Sequence, residues 1–504
     1  MSPISPDLIA SYASQIRSEM SVFADFSDDD LIDLDEPNDH GPNYDPVTID
    51  NPIFGYHYVY YPIAFADGVR WLLKLPLPET LTTFDEHASC TLRSEALMLQ
   101  LLRRETTIPV PDVYHFEETS DNQLSTPFIL MQHMPGKPLY DSWFDKSILE
   151  SELRLRRKQT LKDIANSMIQ LEKFSFSQGG TLIFDDDGEI NAVGPFRQLD
   201  EHAPDKPPIC IEVGPFSDPC SFYTTLLHTN HPLALNAHAQ RDVVALLETL
   251  LSFIPEPQPS RKPSTLTAPN HAFVLTHPDL DIYNIRVDEA GRVTGIFGWR
   301  GAAAYPRSLG NERYPAWLTC DWDLSTYAWD EEMESSIFEP VTGWQDSPTA
   351  LSLYRRMYSS CIWESLNLGK ECYECMDMVG KGKATRASCV VEALFISITE
   401  YMKAREVLQG VLARIVHVLG EQKTVAALNL TPATLASAAA ATVAAGLSNH
   451  SYDDKNKSNT NNAIVEEMYC SEVCSILTTG TPEQKKVVVK FLKTGFDKLV
   501  ARGG

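Results

Sequence analysis

The chain has 504 residues, 43% of them hydrophobic and 22% charged. These are ordinary values for a folded protein large enough for two domains. The formal net charge of −26 argues against nucleic acid as a partner, because phosphate binding needs clustered Lys and Arg. No apolar run approaches ~18 residues, so no membrane-spanning helix is expected. The start, Met1-Ser-Pro-Ile-Ser-Pro-Asp7, lacks a basic and apolar leader, so a cytoplasmic location is the expectation.

Residues 1–24 predict an amphipathic helix, with Leu8, Ile9, Tyr12, Ile16 and Met20 at helical spacing. The acidic, Pro-bearing tract that follows reads as a linker, so residues 1–46 stand apart. Its acidity reads first as solubility, although such a field also favours a cationic small substrate. From Ile53 to Leu75 the pattern is β-like. Tyr56, Tyr58, Tyr60 and Ile63 precede a turn at Asp67-Gly68, and Val69, Trp71, Leu73 and Leu75 then alternate. Ser89–Arg104 reads as a helix that stops before Ile108-Pro-Val-Pro111, where two prolines forbid continuation. Val113–Phe116 and Pro127–Met131 read as strands. Residues 47–134 are therefore a small antiparallel sheet carrying one helix, an α+β lobe.

Beyond Met134-Pro-Gly136 the chain turns helical, and residues 135–430 read as a larger, mostly helical lobe. Its first helix, 153–174, places Leu161, Ile164, Ala165, Met168 and Leu171 on one face. Residues 176–270 read as an insertion of mixed type. It holds two copies of Val-Gly-Pro-Phe (193–196 and 213–216), a helix near 241–253 and a Pro-rich loop over 255–263. A hairpin is expected over 273–297 and helices over 346–430. Residues 431–504 contain an Ala-rich helix (434–447), an Asn-rich low-complexity stretch (449–462) and a final helix. The ten Cys are too few for a disulfide framework in so long a chain. Cys372–Cys375 and Cys470–Cys474 read as reduced thiols before metal or redox pairs.

Three places carry chemistry. Lys74 stands late in an apolar strand, and Glu95 shares a helix face with Leu92, Met98 and Leu99. Each alone reads as a charge reaching solvent. Together they read as an ion pair, the arrangement that orients the α- and β-phosphates of ATP in kinases. Phe128–Gly136 is an apolar strand running into a helical region, where Met131 and His133 sit at the height of an adenine-binding backbone. The third place is Phe273-Val-Leu-Thr-His277-Pro-Asp279-Leu-Asp-Ile-Tyr-Asn284. A His-x-Asp with an Asn five residues on, set between strand-like runs, is the layout of a phosphoryl-transfer loop: Asp279 a base, His277 its positioner, Asn284 a metal ligand. The plainer alternative is a hydrogen-bonded polar turn.

These segments resemble the aminoglycoside phosphotransferase / choline kinase family, in particular its large fungal subfamily. The resemblance runs over about residues 50–420. It rests on Trp71-Leu-Leu-Lys-Leu-Pro76, Ser94-Glu95, Ile108–Tyr114, Pro127–Gly136, Gly188–Phe196, Val213–Ser217, Leu275–Trp299, Ala304–Arg307, Pro315–Leu318 and Asp321-Trp-Asp323. It implies a protein-kinase-like bilobal fold binding ATP and Mg²⁺, with γ-phosphoryl transfer to a hydroxyl of a small-molecule acceptor. Lys74 and Glu95 would form the phosphate clamp, Gly55 the phosphate-covering turn, Asp279 the base and Asn284 one metal ligand. The pattern breaks where the family reads Ile-Ile-Asp-Trp-Glu and this chain reads Ile296-Phe-Gly-Trp-Arg300. Gly298 replaces the second metal ligand. Asn51–Tyr58 is also glycine-poor, and Asp281 and Tyr283 fill loop positions often taken by His and Gly. The expectation is a phosphotransferase with a degraded metal site; the alternatives are a pseudokinase that binds nucleotide or a protein partner, and a scaffold that binds no nucleotide.

Overall fold

Alternating apolar side chains from Tyr58 to Pro76 build the first hairpin of the computed structural model, which describes residues 4–24, 46–77, 86–200, 209–231, 237–255, 272–336, 338–367, 383–420 and 469–503. The acidic tract before Pro46, Cys372, Cys375, the Ala-rich helix, the Asn-rich stretch and most of the Pro-rich loop lie outside these residues. The class is α+β, with antiparallel sheets and helices, and the chain divides into two compact units. The smaller holds the described residues of Met1–Ser142, Leu182–Ala192 and Tyr283–Ala302; the larger holds the rest.

The smaller unit begins with α1 (Pro6–Ala24), followed by β1 (Pro46–Ile49), β2 (Ile53–Phe54), β3 (Tyr58–Phe65), β4 (Arg70–Pro76), α2 (Glu86–Glu105), β5 (Val113–Glu117), β6 (Phe128–Gln132) and β7 (Lys137–Pro138). β1–β6 make one sheet, ordered β1-β3-β4-β6-β5 with β2 on β3. The β3–β4 turn needs Gly68, whose φ is +87° and whose amide donates to the Phe65 carbonyl at 3.0 Å. One strand begins earlier than the sequence suggests: Pro46–Ile49 pairs with β3, ahead of the β-like pattern expected from Ile53. The stripe of α1 is also narrower than expected. Ile9, Tyr12, Ala13 and Ile16 are buried against Ile63, Trp71, Leu73 and Phe128, whereas Leu8 and Met20 are each 41% exposed. A helix covers a sheet with about a third of its circumference, and those two positions lie at the edge.

In the larger unit come α3 (Glu150–Ile169), β8 (Ser175–Phe176), β11 (Phe196–Asp200), β12 (Ile209–Val213), α4 (Pro219–Asn230), α5 (Ala237–Leu251) and β13 (Phe273–Thr276), while β9 (Gly180–Phe184) and β10 (Ile190–Gly194) are divided, their residues within Leu182–Ala192 belonging to the smaller unit. Next are β14 (Ile285–Val287) and β15 (Val293–Ile296), which belong to the smaller unit, then β16 (Ala303–Pro306), α6 (Pro348–Asn367), α7 (Lys383–Thr399), α8 (Ala404–Leu419) and α9 (Pro482–Arg502). Leu161, Ile164, Ala165, Met168 and Leu171 are all buried, as their spacing requires. The two Val-Gly-Pro-Phe copies meet at the open end of the β11–β12 ribbon, where Phe196 pairs with Val213 and faces Phe216 at 6.2 Å.

The expected hairpin over 273–297 does not form as one piece. β13 is buried along its whole length and pairs with β16 on one side and β8 on the other. A strand with both edges taken has no free edge for β14. β14 pairs instead with β15 and β7 in a three-stranded sheet of the smaller unit. The loop 277–284 is thus the crossing of the chain from one unit to the other.

Candidate functional site

The first half of the site lies within the smaller unit. Lys74, on β4, and Glu95, on α2, are both buried, and the Lys74 Nζ donates to both carboxylate oxygens of Glu95 at 2.6 Å. The geometry follows from the two periodicities. Lys74 points to the α2 side of a strand whose other face carries Leu73 and Leu75, and Glu95 lies on the buried stripe with Leu92, Leu99 and Leu102. Burial pushes the Lys74 ammonium below its ordinary value; Glu95 opposes this and Arg300 adds to it. The Tyr58 ring lies under both cations, with the Lys74 Nζ 4.1 Å and the Arg300 Cζ 5.4 Å from its centroid. Burial raises the Tyr58 hydroxyl pKa, and burial with Arg300 lowers that of His57.

Gly55 closes the β2–β3 turn, its amide donating to the Tyr58 carbonyl at 2.8 Å. Tyr56, next to it, is 91% exposed. Met131 is buried on β6 opposite Leu72, and the His133 amide donates to the Arg70 carbonyl at 3.1 Å. Burial, with Arg70 and Arg286 nearby, lowers the His133 pKa. The turn that follows is locked to β14 and β15. Arg286 donates to the Gly136 carbonyl, Thr294 Oγ1 donates to the Pro135 carbonyl at 2.7 Å, and a Cβ on Gly136 would strike the Val287 carbonyl oxygen at 2.5 Å. The Ile296 amide donates to Pro109 at 2.7 Å, which explains the proline-flanked turn after α2.

Asn284 and Gly298 meet in this unit. The Phe297 amide donates to the Asn284 carbonyl at 2.8 Å, and a Cβ on Gly298 would lie 2.9 Å from both Cγ and Nδ2 of the Asn284 amide. Gly298 has φ +83°. Magnesium takes hard oxygen ligands, with carboxylates as its protein anchors. Here one position offers an amide and its partner offers hydrogen. Among the described residues no group of three or more His, Cys, Asp or Glu is placed to hold a metal. At these two positions the donor set, one amide oxygen and no carboxylate, does not fit Mg²⁺.

The second half lies within the larger unit. His277 is buried, and its Nδ1 accepts the Asp279 amide at 3.1 Å, which leaves the ring proton on Nε2. The Asp281 amide donates to the Asp279 carbonyl at 2.9 Å. Arg313 holds the turn from behind, donating to the carbonyls of His277 at 2.8 Å and Pro278 at 3.0 Å. Glu392 stands 3.7 Å from Arg313 and accepts from Thr319 at 3.1 Å; burial raises its pKa. The sequence reading missed Arg313. Its one signal is a position just before Pro315-Ala-Trp-Leu318, with nothing local to mark it as a partner of residue 277. Asp321 serves structure: its carboxylate takes Arg355 at 2.7 Å in a buried pair.

The structure thus brings together Lys74 with Glu95, Asn284 with Gly298, and His277 with Asp279. The first four belong to the smaller unit and the last two to the larger.

No family model matches the chain. Among curated proteins it is 26% identical over 135 residues to Altered inheritance of mitochondria protein 9, mitochondrial, of Candida albicans, a stretch covering 27% of this chain and 21% of that protein. The counterpart in Scheffersomyces stipitis is 29% identical over 118 residues, 23% of this chain and 18% of that protein. The chain therefore spans about a fifth of the length of these relatives. A subtelomeric hrmA-associated cluster protein of Aspergillus fumigatus is 24% identical over 292 residues, 47% of this chain and 54% of that protein. The cytoplasmic expectation does not survive these relatives, whose names place the first two in mitochondria. No helix among the described residues is long and apolar enough to cross a membrane. Solved structures similar to the chain include aminoglycoside phosphotransferase APH(4)-Ia with AMP-PNP and hygromycin B (12% identity, 73% of this chain and 94% of that one, TM-score 0.37). A macrolide 2'-phosphotransferase of Brachybacterium faecium (14%, 73% and 88%, 0.35) is another. Scores this low add nothing to the fold as read from its own strand order.

Proposed function

We propose that the chain binds a nucleoside triphosphate and is an ATP-dependent small-molecule phosphotransferase in which the metal site is degraded. The observation that supports this reading best is the buried Lys74–Glu95 pair, with both carboxylate oxygens at 2.6 Å from one ammonium. A pair so placed costs desolvation and offers little net stability. Its use is to hold an ammonium at a fixed point for phosphate oxygens. In the reaction, the oxygen of an acceptor hydroxyl attacks the γ-phosphorus. The bond from that phosphorus to the β-bridging oxygen breaks, ADP leaves, and the hydroxyl proton passes to the Asp279 carboxylate. His277 fixes the Asp279 backbone through the bond at 3.1 Å, and Arg313 fixes the two carbonyls before it.

The test uses the purified full chain with ATP. Wild type is expected to show a thermal shift with ATP that Lys74→Met removes, and phosphate transfer or slow hydrolysis that Asp279→Asn abolishes. Hydrolysis unchanged in Asp279→Asn would refute the assignment of the base.

The packing of Gly298 on Asn284 favours a second reading, a nucleotide-binding pseudokinase. A missing metal carboxylate costs on the order of a thousandfold in rate. A thermal shift with ATP and no turnover in wild type would select it.

A further inference from the structure

Two cations flank Tyr58, and among the described residues only Lys74 has an ion-pair partner. Lys74 is neutralised by Glu95. Arg300 is half-buried, and its Nε is shielded from solvent with no hydrogen-bond partner among the described residues. Its contact there is the Tyr58 ring, at 5.4 Å. Counting the three side chains, one negative and two positive charges leave a net +1 beside a buried ion pair. Of the other titratable neighbours, His57 has its pKa lowered by burial and by Arg300, which favours the neutral ring, and burial raises that of the Tyr60 hydroxyl, so neither brings a negative charge.

A half-buried guanidinium without an anion is a costly arrangement unless a ligand completes it. Its planar fork matches phosphate oxygens two at a time, and it cannot lose its proton. Two residues earlier the chain carries Gly298, so no carboxylate stands there to hold a divalent ion or to repel bare phosphate. Gly298 brings no negative charge to this corner and Arg300 brings a positive one.

We propose that the smaller unit takes the polyphosphate of a nucleoside triphosphate in its metal-free form, with Arg300 supplying at the phosphates the positive charge that a divalent cation supplies elsewhere. This rests on the nucleotide reading above and goes beyond it in naming the ionic form of the ligand and the residue that selects it.

The experiment is calorimetric titration of the full chain with ATP, in EDTA and in excess Mg²⁺, for wild type and Arg300→Gln. Wild type is expected to bind ATP in EDTA at least as tightly as with Mg²⁺. Adenosine, which lacks the phosphates, should bind at least about tenfold more weakly. Arg300→Gln should lose about tenfold or more of the affinity in EDTA, while Arg300→Lys recovers part of it. If wild type binds ATP only with Mg²⁺, the nucleotide reading stands and the role of Arg300 is overturned. Unchanged affinity in Arg300→Gln overturns it too. No ATP binding in either buffer removes both. These wild-type comparisons decide the matter even should Arg300→Gln fail to fold.

Discussion

Gly298 lies flat against the side-chain amide of Asn284: a Cβ added at 298 would come within 2.9 Å of two of that amide's atoms. The position therefore resists any side chain for two reasons, a φ of +83° and the amide itself. Gly301, with φ +80° and nothing within 4 Å of its built Cβ, has only the first reason. Gly301→Ala should cost about 1 kcal/mol, the strain of the left-handed backbone. Gly298→Ala should cost about 1 kcal/mol more, the price of displacing the amide. Adding Asn284→Ala should cancel that excess. Urea denaturation of wild type, the two glycine variants, Asn284→Ala and the Gly298→Ala, Asn284→Ala double variant measures it; equal costs for the two glycines would contradict the contact.

The Lys74–Glu95 pair predicts an asymmetry between single and double substitution. Glu95→Gln leaves an ammonium buried without its anion and should destabilise by about 3 kcal/mol. Lys74→Met with Glu95→Leu removes both charges and should cost less than the single change. Chemical denaturation checks both. A Glu95→Gln cost below about 0.5 kcal/mol would mean the pair is more hydrated than its burial implies.

His277 predicts a difference between two amides of unlike length. The acceptor for the Asp279 amide is Nδ1, and the oxygen of Asn sits near that atom's place, whereas the oxygen of Gln sits near Nε2. His277→Asn should therefore keep about 1 kcal/mol of stability that His277→Gln loses. Thermal unfolding compares them, and the reverse order would assign the opposite ring nitrogen to the bond.

Glu312 gives the pH dependence. Burial, with Glu172 nearby, pushes its carboxyl up from 4.5 to about 7, Arg307 opposing. The folded value lies above the unfolded one, so between the two the folded chain holds a proton that the unfolded chain releases. The stabilisation is fully present below about 4.5 and is lost as pH rises through about 7. Partial exposure screens the effect, which should be on the order of 1–2 kcal/mol. Glu312→Gln should remove this slope from the stability profile between about pH 4.5 and about pH 7; a profile parallel to wild type would show that Glu312 titrates as an ordinary carboxyl.

What the sequence determined by itself were features whose cause is local. Alternation and Asp67-Gly68 fix the β3–β4 hairpin, two prolines end α2, and the 3.6-residue spacing fixes the buried face of α3. The Lys74–Glu95 pair was legible too, because a strand and the helix after it each carried a charge on an apolar face, and buried charges need each other. What only the tertiary structure decided were contacts between distant segments. β13 takes its partners from residues 175–176 and 303–306, so the expected single hairpin divides between two sheets. Arg313 reaches back to residue 277, and Arg300 reaches the Tyr58 ring. The physical reason is that sequence periodicity records which face of an element is apolar, while a strand's second edge and a guanidinium's partner depend on which remote backbone fills the space beside them.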